Sequence, residues 1–190
     1  MKKLFFIAII LTAFDGFSQE TDNSQEIPQG KHDLRFDGFE ALVFETLEFN
    51  YEYVIGKYSG AGAAISFNLG EKSFEGSGTK FAFTPYYRQY FLNKKDYGAR
   101  GLFVEGSIQF ASGKYDGYSY FYDPSIDYYQ QIMTTEKWFE TGIGLSVGQK
   151  WVSHNGFIFE ISAGGGRYLL NDEAAPAGYF RGGILVGYRF

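Results

Sequence analysis

The chain has 190 residues, 17 basic and 22 acidic, a net charge of −5, and no cysteine. A mildly acidic chain of this length suits one domain and is a poor nucleic-acid binder, and without cysteine it has neither a disulfide framework nor a thiolate nucleophile. Its 21 Phe, 16 Tyr and 25 Gly favour strands over long helices, and outside the first residues no apolar period near 3.6 is sustained.

The chain begins with Lys2 and Lys3, an apolar run from Leu4 to Phe14, and the small residues Gly16 and Ser18. That run is too short to cross a bilayer as a helix and reads as a signal peptide over 1–18, cleaved near Ser18 or Gln19, so the rest of the chain is expected to be exported. Residues 19–31 are polar, contain Pro28 and Gly30, and read as a flexible lead-in. The folded domain is expected over 32–190.

Alternation of apolar and polar residues places eight strands there, near 32–40, 46–54, 60–69, 80–91, 101–111, 137–149, 156–168 and 179–190. In the second strand, for example, Leu47, Phe49, Tyr51 and Tyr53 oppose Glu48, Asn50 and Glu52. Pro85 interrupts the fourth strand and predicts a bulge or local break, because proline cannot donate to a ladder. The longer connections (70–79, 112–136 and 169–178) fall at one end, while both termini and short turns fall at the other. An even strand number, strands near ten residues and this loop asymmetry predict an all-β fold, an eight-stranded antiparallel up-and-down transmembrane β-barrel.

The direction of the apolar face decides between lipid and a soluble ligand-binding barrel. Eight strands leave an interior only wide enough for side chains, and three or four bulky apolar residues per strand would not fit there. The opposite face is rich in glycine and carries a nearly balanced set of charges: Arg35, Asp37, Glu48, Glu52, Lys80, Arg88, Glu105, Glu140, Glu160, Arg181 and Arg189. Buried charges must be paired, so this set is expected to fill the lumen as a network. Aromatic residues at strand ends are expected to form interfacial girdles, with Tyr53, Phe91, Trp151, Tyr188 and Phe190 toward the turns and Trp138, Tyr168 and Tyr179 toward the loops.

The final stretch, YFRGGILVGYRF, ends on Phe190 with Tyr188 two residues before it. It resembles the C-terminal strand of bacterial outer-membrane β-barrels, whose assembly machinery reads a terminal Phe as part of its signal. With eight strands the chain is similar to the small barrels of the OmpA transmembrane domain and OmpX class. That resemblance implies a Gram-negative outer-membrane location and a likeness to monomers, with outer-membrane lipid, the barrel assembly machinery and periplasmic chaperones as partners. With no domain after the barrel, a peptidoglycan-tethering role like that of full-length OmpA is not expected.

No cofactor, metal site or catalytic residue is expected. The run Gly164-Gly165-Gly166-Arg167 lacks the Lys-Ser/Thr ending of a phosphate loop. Lipid-modifying enzymes share this architecture, but their catalytic His and Ser lie near the outer leaflet, whereas His32 and His154 map to the opposite end. The connection 112–136 is the most individual segment. Tyr115, Tyr118, Tyr120, Tyr122, Tyr128 and Tyr129 give it large contact area at low entropic cost, suited to an extracellular partner or glycan, or else to packing over the barrel mouth.

Overall fold

The computed structural model describes residues 30–43, 45–70, 78–91, 98–123, 128–170 and 172–190. The expected signal peptide and nearly all of the lead-in lie outside the described residues. Nine strands form one antiparallel sheet: β1 (His32–Asp37), β2 (Thr46–Gly56), β3 (Ser59–Asn68), β4 (Thr79–Phe91), β5 (Gly101–Asp123), β6 (Tyr128–Val152), β7 (Phe157–Tyr168), β8 (Gly178–Phe180) and β9 (Gly183–Arg189). From β1 to β7 each strand pairs with the next, β7 pairs with both β8 and β9, and β9 pairs with β1, so the sheet closes into a ring. The ninth strand arises because the expected last strand is divided at Arg181 and Gly182, the latter with φ of 155°.

The closing seam is built from main-chain bonds. Leu34 lies opposite Tyr188 and Phe36 opposite Val186. The amide of His32 donates to the Phe190 carbonyl at 3.1 Å, and the Phe190 amide donates back to the His32 carbonyl at 2.9 Å. A closed ring leaves no edge along the barrel wall.

Two expectations on local structure need correction, and a third, at Pro85, is met in one of its two forms. The first strand ends at Asp37, and Gly38–Val43 forms a short helix, α1. Asp37 explains the switch, since its Oδ1 accepts from the amides of Phe39 and Glu40, each at 2.9 Å, as an N-cap. Pro85 gives the local break rather than a bulge: it sits in register opposite Ala63 on β3, and the ladder to β5 skips Thr84 and Pro85 without changing register. Over its described residues, 112–123 and 128–136, the segment expected as a loop is strand. β5 and β6 continue through it in one unbroken register, from Gly101 opposite Lys150 to Asp123 opposite Tyr128. Past Lys114 and Lys137 this ribbon pairs, among the described residues, only with itself, and its nine residues on β5 extend about 30 Å at ~3.3 Å per residue.

Two ends result. The start of β1, the end of β9, the β2–β3 turn and the turn of Ser153 to Gly156 share one end. α1, the ribbon and the segment after Tyr168 lie at the other. Among the described residues no helix is long and apolar enough to cross a membrane.

Candidate functional site: a buried charge network and a projecting ribbon

Parity along the strands turns the sheet inside out relative to a soluble protein. Leu34, Phe49, Ile65, Tyr87, Ile108, Ile143, Leu145 and Val147 are exposed on the outer wall, while Arg35, Glu52, Arg88, Glu105, Lys150, Glu160 and Arg189 are buried in the lumen. With every strand contributing to that outer wall, the apolar surface is a belt rather than a patch.

The lumen charges interlock. Arg35 bonds Glu160 and reaches Glu52 at 2.8 Å and the Tyr86 oxygen at 2.6 Å. Arg88 donates to Glu105 (2.7 Å), Glu52 (3.0 Å) and Glu160 (2.9 Å). Arg181 continues toward the loop end, bonding Glu105 at 2.9 Å, Glu48 at 3.0 Å and Asn50 at 3.3 Å. Toward the turn end Lys150 bridges Asp33 (2.9 Å) and Glu52 (3.0 Å), and Arg189 grips both oxygens of Asp33 at 2.6 and 2.8 Å. Five cations thus join five carboxylates in one network.

Aromatic rings pack the guanidinium and ammonium groups. Arg88 lies 4.2 Å from the Phe103 ring centre and 4.7 Å from that of Tyr86, and Lys150 lies 4.7 Å from that of Tyr90. The Tyr90 hydroxyl donates to Glu52 at 2.6 Å, and that of Tyr86 to the Tyr51 carbonyl at 3.1 Å. Glycine makes this possible on β3. A side chain at Gly60 would strike the Glu52 carboxylate, and one at Gly62 would strike Tyr86.

Apolar layers close the network at both ends. Val54, Tyr90, Ala99 and Phe103 cluster at the turn end, where the carbonyls of Gly98 and Ala99 accept from Arg189 at 2.7 and 3.1 Å. Trp138, Tyr168 and Tyr179 cluster with Ala82, Ala111 and Ala174 at the loop end. Those three aromatics are buried rather than girdle-forming, because their parity faces the lumen; Tyr53, Phe91, Trp151, Tyr188 and Phe190 do face outward. A cavity of about 70 Å³ remains at the loop end, bordered by Glu48, Lys80 and Gln109. A second one of about 10 Å³ beside Arg181 and Glu105 has room for about one water.

The charges anticipated for the lumen divide by place. Glu48, Glu52, Arg88, Glu105, Glu160, Arg181 and Arg189 meet in the network together with Arg35. Glu140 instead accepts from the amides of Leu170 (2.9 Å) and Asp172 (2.7 Å), fixing the segment after β7. Lys80 donates to the Gly70 carbonyl at 2.6 Å, and Asp37 caps α1. Sequence reasoning missed Asp33, Lys150, Tyr86 and Tyr90. Asp33 lies within the expected first strand and shares the parity of Arg35, and Lys150 shares the parity of Glu140 one residue beyond the expected sixth strand, so following both faces to the strand ends would have found them.

Phe190 and Tyr188 sit at the seam, where the Phe190 ring stacks on His32 at 5.8 Å. On the ribbon Tyr115, Tyr118, Tyr120 and Tyr122 are exposed, with Phe121, Ile132 and Met133 beside them. Tyr128 and Tyr129 open β6. Tyr115, Tyr118, Tyr120 and Tyr122 therefore do not fold over the barrel mouth. No group of acidic, histidine or cysteine side chains fit to hold a metal occurs among the described residues. No protein-family model, no curated protein and no solved structure matches this chain.

Proposed function

We propose that this protein is an outer-membrane β-barrel of structural or surface-interaction type, similar to the small OmpA and OmpX class, without catalysis of its own. The observation that carries the reading is the inversion of its faces: an apolar belt around the outer wall and ionised side chains sealed within. Lipid would satisfy that belt, whereas water would leave Leu, Ile and Phe exposed around the whole circumference. The network supports a closed lumen, since paired arms and two apolar layers occupy the space a porin leaves to water. The projecting ribbon supports surface interaction, its tyrosines offering rigid amphipathic contact area to an extracellular partner.

Fractionation of cells producing the full chain tests this. The protein is expected to sediment with outer membranes and to stay there through high-salt and carbonate washes until detergent is added. Recovery in a soluble fraction would overturn the reading in favour of a soluble barrel.

A further inference from the structure

This inference rests on the membrane reading above and concerns the upper border of the belt. Along the outward-facing positions of the described strands, Asp, Glu, Lys and Arg are absent from the turn end up to the loop-end rim. The first ones met there are all cations: Arg167 on β7, Lys114 on β5 and Lys137 on β6, each exposed. On the same face, exposed Phe139 lies directly beneath Lys137, beside Ser112, and exposed Phe110 follows Ser112 beneath Lys114. Lys114 and Lys137 face each other across the ladder. Like charges directly opposed destabilise a strand pair unless an anion lies between them.

Among the described residues no ion pair reaches either ammonium group. Asp116 is the nearest acid on that face, one step farther up the ribbon, and it accepts from the Thr135 hydroxyl at 2.6 Å. The remaining acid nearby, Glu136, has the opposite parity and points to the other face. Two cations meeting an apolar border at membrane-interface height complement an anionic headgroup with its acyl chains below.

We propose that Lys114 and Lys137 form a docking site for the phosphate-bearing headgroup of an anionic lipid in the leaflet on the loop side. The ligand class is an acyl lipid phosphate with net negative charge. The adjoining phenylalanines contact its chains, so a free phosphate ion would use only half the site.

Native mass spectrometry of the full-length folded barrel, released from detergent after incubation with phosphatidylglycerol or phosphatidylcholine, tests this. Wild-type protein is expected to retain phosphatidylglycerol preferentially, with that preference falling about fivefold for each lysine removed. Lys114→Gln/Lys137→Gln should therefore lose it, and Lys57→Gln, at the opposite end, should keep it. Equal retention of the two lipids by wild-type protein would overturn the proposal without any variant. So would a preference that survives the double substitution, or one abolished by millimolar inorganic phosphate, which would assign the site to a free anion. If the double variant still forms a heat-modifiable barrel, a negative result removes this inference alone. If the wild-type chain forms no detergent-dependent barrel, the membrane reading fails and this site with it.

Discussion

At the scale of single residues, Glu52 is the hub. One carboxylate serves Arg35, Arg88 and Lys150 and also receives the Tyr90 hydroxyl. Removing one member of a buried charged set leaves its partners uncompensated, at about 3–5 kcal/mol. Glu52→Ala is therefore expected to lower the unfolding midpoint in detergent by that order, and Glu52→Gln by less, since the amide keeps an acceptor for Lys150 or Tyr90. An unchanged midpoint for Glu52→Ala would contradict the paired network. Much of this site was legible in the sequence because strand parity is a strict period of two, so Glu48, Glu52, Arg88 and Arg181 could be assigned to one face without coordinates. Tyr86 and Tyr90 were not legible, because tyrosine is at home on either face: its ring suits lipid and its hydroxyl suits a polar lumen.

At the scale of elements, the β5–β6 ribbon is where sequence and structure diverge most. Residues 112–136 carry glycine, aspartate and a proline, the usual punctuation of a loop, yet their Tyr, Phe, Thr and Ile have high strand propensity and the ladder runs on. What alternation could not reveal was that the register of the barrel portion is continued rather than ended, a consequence of cross-strand pairing that is not local in sequence. α1 was hidden for the opposite reason. A six-residue helix has too few turns for a 3.6 period, and only the cap by Asp37 marks it. Because the ribbon above Lys114 has one ladder and, among the described residues, no further sheet neighbour, its hydrogen bonds should open more easily than those of the wall. Hydrogen exchange in detergent is expected to be much faster for amides of 115–123 and 131–136 than for those of 102–111. Equal protection would mean that something else in the molecule covers the ribbon.

At the scale of the whole molecule, the central claim is a closed barrel with its chemistry turned outside in. Closure depends on β1 meeting β9, and that seam is held by the main-chain bonds of His32 with Phe190 and by Asp33 with Arg189 inside it. The strand plan and the short and long ends were readable from alternation and spacing. The division of the last strand at Gly182 was not, because it reflects packing against β7 rather than any local pattern. The measurement that tests closure most directly is gel mobility of the detergent-extracted protein before and after boiling. A sealed barrel is expected to resist the gel's detergent and run faster unheated than boiled, and to be recovered only with detergent. Identical mobility in a protein that washes off without detergent would contradict the account and turn the apolar face inward.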